Sequence, residues 1–486
     1  MPESTRALGD VIPAPAKVRP VPAADFTISD STAISAAPGA EQLAGLLRAA
    51  TGLPLPVRAG AAEITSVLDE TGEHGDEGYA LSIAADGVTI RAATPAGLFW
   101  AAQTLSQLVP ATGSTLPGGE IVDRPRFGYR GVMLDVARHF WTVDEVKAYV
   151  DAIVQFKVNY LHLHLTDDQG WRLEIDGRPR LTEVGGGAGT GVDGAGPGFY
   201  TRADYADLVA YAAQRFVTIV PEIDMPGHVN AAQAAYGELT ADGTPAGPRT
   251  DQEVGYSSLV AGKEETYAFV EDVIREVAAL TPGPFLHIGG DEAQATSAED
   301  YRTFITRVLP LVAKYGKRAV GWHEMAAVEL PETAVPQFWR IEAADEGTAR
   351  AAANGSKVIM SPADRTYLDM KYTAESPLGL DWAALISVAQ AYDWDPATRL
   401  PGVGEEALLG VEAPLWAETL RTLDDVLTMT FPRLPAIAEI GWSPRETHEW
   451  ASFRRRLAAW GPRWTAQGIA YHRSPEIDWP DQAGIG

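Results

Sequence analysis

The chain has 486 residues, 46% hydrophobic and 21% charged, so it is long enough to bury a large core. Its 39 Lys and Arg against 65 Asp and Glu give a formal charge of −26. This charge argues against nucleic acid or an anionic membrane as a partner, because both require cationic surface. The absence of cysteine excludes disulfides, thiolate metal sites and cysteine nucleophiles.

The N-terminal stretch, residues 1–22, is rich in Pro and Ala and predicts an extended lead-in. It has no apolar core segment of the kind found in signal peptides. The chain also has no run of about 18 apolar residues that could span a membrane. We therefore expect a cytoplasmic location for the chain as written, or secretion if a signal peptide has been removed.

Residues 23–123 predict a small α/β domain. Alternating segments at Tyr79–Ile83 and Val88–Ala92 are typical of strands, and Ala96–Leu108 is typical of an apolar helix. Pro110 and the glycine-rich turn that follows it mark a boundary. Few side chains in this region are equipped for chemistry.

Residues 124–486 alternate apolar strand-like runs with helical patterns, which indicates a parallel sheet covered by helices. Eight such units predict a (β/α)8 TIM barrel, and an open doubly wound sheet is the alternative. The eight runs are Gly131–Val136, Tyr160–Leu165, Val217–Val220, Phe285–Ile288, Ala319–Trp322, Val335–Phe338, Val358–Met360 and Leu408–Val411.

Polar and aromatic side chains follow every one of these runs, where the active site of a barrel lies. Carboxylates and arginines can bond hydroxyl groups, and flat aromatic faces suit the C–H face of a sugar ring. The pattern therefore predicts a carbohydrate site, with Trp322, Trp339 and Trp416 in its pocket. We expect Trp460 and Trp464, in the last helical stretch, to pack in a core instead.

The adjacent pair Asp291 and Glu292 is the sharpest feature of this rim. Neighbouring Cα atoms are about 3.8 Å apart, so burial and mutual repulsion should raise the pKa of one carboxyl. A protonated acid beside an ionised one is suited to cleaving a glycosidic bond. The alternative is an acidic pair that only stabilises a helix N-terminus.

A cluster of histidines offers a second kind of chemistry. His162 and His164 share one face of a strand, and His228 and His287 could join them around a metal ion. Buried, hydrogen-bonded histidines are the commoner case, so we expect no metal.

Four runs resemble family 20 of the glycoside hydrolases, the β-N-acetylhexosaminidases, and the enzymes of actinomycete bacteria most of all. The runs are residues 130–140, 162–172, 221–228 and 287–292. The segment 77–108 resembles the small N-terminal domain of the same family. The resemblance implies exo-acting removal of terminal GlcNAc or GalNAc from oligosaccharides or glycoconjugates, without a cofactor or metal. It leaves the oligomeric state open.

The resemblance further implies substrate-assisted retention, in which the 2-acetamido oxygen of the sugar attacks the anomeric carbon and forms an oxazolinium ion. Glu292 would be the general acid and then the base, Asp291 would orient the acetamido N–H, and Tyr367 would donate to the acetamido oxygen. The other implied roles are pocket walls (Trp322, Trp339, Trp416), hydroxyl binding (Arg138, Glu418), tuning of Glu292 (Asp167, His228) and contacts on the leaving-group side (Trp382, Asp369).

The residues by themselves leave other mechanisms open. A two-carboxylate glycosidase is one, since several rim carboxylates could be its nucleophile. A metal-dependent hydrolase built on the four histidines and a sugar-binding protein without catalysis are two more. The possible nucleophiles are Asp167, Glu222, Asp224 and Glu324.

Overall fold

The computed structural model describes residues 6–69, 71 and 74–480. They form two compact units. One unit comprises Met1–Gly128, Ile153–Lys157 and Leu434–Gly486, and the other comprises Tyr129–Ala152 and Val158–Arg433. The domain boundaries expected after residues 22 and 123 stay predictions.

The N-terminal part of the first unit is a mixed seven-stranded sheet with two helices, and a two-stranded sheet beside it. The predicted strands and the predicted helix are confirmed here, and Leu81 pairs with Ile90 in an antiparallel hairpin. Part of the expected lead-in forms an edge strand of this sheet. The elements are β1 (Lys17–Pro20), β2 (Phe26–Thr27), β3 (Ile34–Ser35), α1 (Ala40–Thr51), β4 (Val57–Arg58), β5 (Ile64–Leu68), β6 (Tyr79–Ala84), β7 (Gly87–Ala92), α2 (Pro95–Leu108), β8 (Thr115–Leu116) and β9 (Gly119–Asp123).

The second unit contains a closed barrel of eight parallel strands, which confirms the predicted (β/α)8 architecture and excludes the open sheet. The first and last strands close the barrel by pairing in parallel from Tyr129↔Gly410 to Leu134↔Leu415. The strands are β10 (Tyr129–Asp135), β11 (Tyr160–His164), β12 (Thr218–Glu222), β13 (Phe285–His287), β14 (Arg318–Trp322), β15 (Val335–Phe338), β16 (Val358–Met360) and β17 (Leu408–Leu415).

Helices lie between the strands, and some of them begin at capping side chains that the sequence supplies. Thr201 and Asp204 form a capping box at the start of one of them, and Thr142 exchanges hydrogen bonds with Glu145 at another. The helices of this unit are α3 (Val143–Ile153), α4 (Arg180–Gly185), α5 (Arg202–Ala213), α6 (Asn230–Ala235), α7 (Glu264–Leu280), α8 (Ala298–Lys314), α9 (Glu346–Ala353), α10 (Ala363–Thr366), α11 (Val388–Tyr392), α12 (Pro396–Arg399) and α13 (Leu423–Thr430).

The barrel interior changes character along its axis. At the N-terminal ends of the strands it is aromatic and aliphatic: Tyr129 stacks on Tyr160 at 4.2 Å and meets Phe285 edge-on. Further along, inward side chains become ionisable, with His162 in β11 and Glu412 in β17, both fully buried. The apolar layer therefore seals one end of the barrel, and the polar layers lead to the other.

The last three helices of the chain, α14 (Arg433–Trp442), α15 (Trp450–Ala458) and α16 (Trp460–Gln467), cluster with the first unit from Leu434 onward. Trp460 and Trp464 are 2% and 0% exposed, as expected of core residues. Among the described residues no helix has both the length and the apolar character needed to cross a membrane.

A buried charge lies at the centre of the first unit. The Lys157 ammonium, fully buried, contacts Asp123 and the Tyr79 hydroxyl, each at 2.9 Å. Asp123 also accepts from Tyr79 at 2.7 Å and from the indole N–H of Trp442 at 2.9 Å. One carboxylate thus joins the sheet to the C-terminal helices, and its loss would remove the negative charge that contacts the buried Lys157.

We predict that Asp123→Asn destabilises the protein by about 3–5 kcal/mol, because it removes the countercharge of Lys157. Chemical denaturation measures the change. The control is Glu120→Gln, also on strand β9. This variant breaks the ion pair between Glu120 and Arg19, whose side chains are 49% and 73% exposed. The free energy of unfolding should change by less than about 1 kcal/mol. Equal effects of the two variants would contradict the prediction.

Candidate active site

The acidic pair lies in a strained turn directly after β13. Gly289 and Gly290 have φ of 65° and 103°, and Glu292 itself has φ of 44°. A Cβ on Gly289 would lie 1.7 Å from Oδ1 of Asp224, and that same oxygen accepts the N–H of Gly290 at 3.1 Å. Glycine is required here because the Asp224 carboxyl packs against the backbone, and a non-glycine residue with positive φ is typical of functional sites.

Asp291 is buried but not saturated with hydrogen bonds. It is 7% exposed, and its Oδ1 has no hydrogen-bond partner among the described residues. Burial raises the pKa of Asp291 to about 6; His228 opposes this rise and the charge of Glu292 adds to it. The carboxyl is therefore ionised above about pH 6 and has an oxygen able to accept a further N–H.

His228 lies beneath both acids, also with positive φ, 55°. Its Nε2 is 3.5 Å from Oε2 of Glu292 and 3.7 Å from Oδ2 of Asp291, while its Nδ1 is 3.1 Å from Asp167. Burial disfavours the imidazolium, but the carboxylates of Asp167 and Asp291 outweigh it and hold the pKa of His228 well above its usual value. His228 thus presents positive charge to the acidic pair.

Arg138, expected to bind substrate, is held among carboxylates after β10. Its guanidinium lies 2.9 Å from Asp167, 3.3 Å from Asp135 and 3.8 Å from Glu418. Arg138 also lies over the Trp416 ring, 5.0 Å from its centroid. Burial raises the pKa of Glu418 and Arg138 opposes that rise. This cluster offers both donors and acceptors to a hydroxyl-rich ligand.

A continuous series of aromatic rings lines the C-terminal end of the barrel. Trp322 is 5.8 Å from Trp416, Trp416 is 6.4 Å from Tyr367, Tyr367 is 5.9 Å from Trp382, and Trp382 is 6.0 Å from Trp339. Trp322 is fully buried, whereas Trp382 is 50% exposed. The rings therefore run from the barrel interior to solvent.

Tyr367 remains a hydrogen-bond donor in this setting. It is 3% exposed. Burial, followed by the charges of Asp291 and Asp369, holds the pKa of its hydroxyl well above the usual value. Asp369 is itself buried, and burial together with the charge of Glu418 holds its pKa well above the usual range. Asp369 also accepts the backbone N–H of Trp416, two residues before Glu418, at 3.5 Å.

Glu324 adds a further carboxyl close to the acidic pair. It accepts the indole N–H of Trp339 at 3.1 Å. Burial, followed by the charge of Asp291, raises the pKa of Glu324 to about 8. Glu324 and Glu292 both line a cavity of about 570 Å³ that also contacts His323.

The four histidines considered as metal ligands are already engaged with carboxylates. Ligand-type atoms of His162, Glu222 and His287 lie within 4.8 Å of one another, as do other groups that include His164 and His228. In three of the four groups, imidazole–carboxylate contacts of 2.5–3.1 Å account for the proximity. In the fourth group, Asp224, His228 and Asp291, the contact from His228 to Asp291 is 3.7 Å. The donor set is thus that of a hydrogen-bonded network.

The structure brings the predicted residues to one end of the barrel. Asp291, Glu292, His228, Asp167 and Arg138 form one connected set, and the aromatic residues with Asp369 and Glu418 form the wall beside it. Sequence reasoning gave no role to Glu412, although a charged residue within the apolar run of β17 was a visible signal.

Family models match both parts of the chain. Residues 127–445 match the catalytic domain of glycosyl hydrolase family 20, and residues 9–124 match domain 2 of the same family. A β-N-acetylhexosaminidase of Cellulomonas fimi is 43% identical over 90% of this chain and 89% of its own length.

Solved structures agree over nearly the whole length. N-acetyl-β-hexosaminidase of Streptomyces plicatus in complex with Thio-NAglucal has a TM-score of 0.95 and 50% identity, covering 99% of each chain. The GH20 β-N-acetylhexosaminidase of Streptomyces coelicolor A3(2) has the same TM-score and identity, covering 98% of this chain and 99% of its own. With two family models matched in order, the chain belongs to glycosyl hydrolase family 20.

Proposed function

We propose that the protein is an exo-acting β-N-acetylhexosaminidase, which removes terminal non-reducing GlcNAc or GalNAc by substrate-assisted retaining hydrolysis. The observation that carries the proposal is a buried carboxylate oxygen of Asp291 without a hydrogen-bond partner among the described residues. The Tyr367 hydroxyl is the matching donor, since burial and then the charge of Asp291 hold its pKa well above the usual value. Relatives named as hexosaminidases, one of them solved with GlcNAc as product, support it.

An acetamido group has one N–H donor and one carbonyl acceptor, which matches this pocket. Asp291 accepts the N–H and so makes the carbonyl oxygen more nucleophilic. Tyr367 donates to that oxygen and holds it toward the anomeric carbon, while Trp322, Trp339 and Trp416 exclude water from the amide. A group held in attacking position gains a large rate advantage over a free one, and the developing positive charge of the oxazolinium is stabilised by Asp291.

Glu292 protonates the leaving oxygen and later activates the water that opens the oxazolinium ion. Its side chain is 31% exposed, so a leaving group and a water molecule can both reach it. His228 and Asp167 orient it from below. The same carboxyl therefore serves both steps, as retention through a cyclic intermediate requires.

The outer hydroxyls of the terminal sugar bind to Arg138 and Glu418. Because Asp369 accepts the backbone N–H of Trp416, two residues before Glu418, we place Asp369 with this pair, although the resemblance suggested the leaving-group side. Trp382, half exposed at the rim, remains the aromatic surface for the leaving group. Neutral oligosaccharides suit this site, and the net charge of −26 disfavours nucleic acid and anionic membranes.

The other rim carboxylates are poorly disposed to act as nucleophiles. Asp167 is fully engaged with Arg138, His164 and His228. Burial, and then Asp291, holds the pKa of Asp224 well above its usual value. Glu324, with a pKa of about 8, is protonated near neutral pH. A displacement by the substrate's own amide needs none of them.

We predict that Glu292→Gln lowers turnover of substrates with poor leaving groups by roughly 10²–10⁴-fold, because the proton donor is lost. Steady-state hydrolysis of N,N′-diacetylchitobiose (called chitobiose below) measures the effect. Glu299→Gln, a solvent-exposed carboxyl on α8, is the matched control and should leave turnover unchanged. Unchanged turnover of Glu292→Gln itself would end the assignment.

We predict that Asp291→Asn abolishes most activity yet stabilises the fold at neutral pH. The pKa of Asp291 is raised from 3.8 to about 6, so its ionised form costs stability in full above pH 6. At one pKa unit per 1.36 kcal/mol, the variant should gain about 2–3 kcal/mol at pH 7.5, and the gain should vanish as pH falls below 4.

Denaturation of wild type and Asp291→Asn across that pH range tests the sign. The exposed Asp393→Asn is the control and should follow the wild-type curve. If the stability gain of Asp291→Asn grew toward acid pH instead, the ionised Asp291 carboxylate would not destabilise the folded protein, and the prediction would be wrong.

We also predict that aryl 2-acetamido glycosides are cleaved at least about 10³-fold faster than the matching glucosides, because the internal nucleophile is absent from the latter. A thiazoline analogue of the intermediate should inhibit competitively. Comparable cleavage of glucosides, or a trapped sugar ester on a carboxyl side chain, would show that the protein supplies the nucleophile.

A further inference from the structure

The ionisable side chains inside the barrel form one connected series of alternating acids and imidazoles. It begins at Glu412, whose carboxylate lies 2.9 Å from Nδ1 of His162. Nε2 of His162 lies 3.0 Å from Glu222, and Glu222 lies 2.5 Å from Nδ1 of His164. Nε2 of His164 lies 2.6 Å from Asp167. All five side chains are at most 1% exposed.

Glu222 is the branch point of this series. Its carboxylate faces His162 and His164 from β11, His287 from β13 at 3.0 Å and the indole N–H of Trp322 from β14 at 3.0 Å. Asp224 also lies close to it, with ligand-type atoms of Glu222, Asp224 and His164 within 4.8 Å of one another. Burial raises the pKa of both Asp224 and Asp291, and the charge of Glu222 adds to each rise. Burial opposes ionisation of Glu222, but the surrounding histidines hold its pKa well below the usual range.

The series continues to the proposed acid, and its last contact is longer than a hydrogen bond. Asp167 contacts His164 through one oxygen and Nδ1 of His228 through the other, and Arg138 adds a contact at 2.9 Å. His228 then reaches Glu292 at 3.5 Å. Glu222 therefore stands four contacts from Glu292, on the path His164, Asp167 and His228.

We propose that Glu222 is a positioning residue for Glu292, acting through His164, Asp167 and His228. Its fixed negative charge favours the imidazolium form of His164. That imidazolium and Arg138 together keep Asp167 ionised. An ionised Asp167 fixes the His228 ring with Nδ1 toward itself and Nε2 toward Glu292, in the way that partners behind a ligating or catalytic histidine set its orientation. The proposal rests on the proposed function, because it concerns proton donation by Glu292.

The test uses the leaving-group dependence of kcat/KM, which a purely structural role would not change. A 2,4-dinitrophenyl leaving group departs without protonation, whereas the sugar of chitobiose needs the proton of Glu292. In Glu222→Gln we expect kcat/KM for chitobiose to fall at least tenfold more than kcat/KM for the dinitrophenyl glycoside. General acid catalysis supplies roughly 10²–10⁴-fold in rate, and the loss of a positioning residue should remove only part of that factor.

Glu412→Gln is the matched control. The variant removes another buried carboxylate, which contacts His162, Tyr129 and Gln337. Glu412 meets the series at His162 and is not on the path from Glu222 to Glu292. It should leave the ratio of the two kcat/KM values at the wild-type level. An equal change of the ratio in both variants, or a parallel loss on both substrates in Glu222→Gln, would overturn the proposal.

His164→Gln provides a second route if Glu222→Gln does not fold. It cuts the same path while Glu222 keeps His162, His287 and Trp322 as partners, and it should reproduce the selective loss on chitobiose. A wild-type ratio in this variant contradicts the proposal. If the wild-type protein cleaves neither N-acetylglucosaminide, the proposed function fails; if it cleaves both and the ratio never moves, only the role of Glu222 fails.

Discussion

Compensation of buried charge is the constraint on which this site depends. A carboxylate inside a barrel costs several kcal/mol unless donors surround it, and Glu222 has three imidazoles and an indole N–H within 3.0 Å. Meeting that requirement fixes the rings of His162, His164 and His287 against one another. The same requirement at Asp167 fixes Arg138 and His228. Contacts between buried charges therefore position the side chains at the catalytic end of the barrel, while apolar packing fills the other end.

Backbone strain at the site occurs in the two loops that follow β12 and β13. Glu292 and His228 adopt positive φ, and burial raises the pKa of Asp291 to about 6. Such conformations cost about 1–3 kcal/mol each and persist only where the surroundings enforce them. Here the surroundings are Asp224 packed against Gly289 and the Asp167–His228 contact. A well-ordered barrel can support this strain, since the rest of its core is apolar and closely packed.

The pocket wall complements this polar centre. Trp322 is anchored by its N–H to Glu222, and Trp339 by its N–H to Glu324. Each indole therefore has its polar atom satisfied within the protein, which leaves only its apolar ring to contact neighbouring groups. Arg138 is likewise held by acids before any sugar binds. Binding then needs little reordering of side chains, which favours selective recognition of a small neutral ligand.

The sequence by itself determined the eight-stranded barrel, because apolar runs alternating with capped helices have few other solutions, and its motifs identified the acids and aromatic residues that the structure brings together. It could not decide which carboxyl of the Asp291–Glu292 pair is desolvated. Nor could it reveal that Asp369 accepts the backbone N–H of Trp416, or that Glu222 contacts His164, which in turn contacts Asp167. Those facts depend on which side chains meet across strands far apart in the chain. Desolvation and Coulomb interactions arise only from that packing, so the tertiary structure alone decided them.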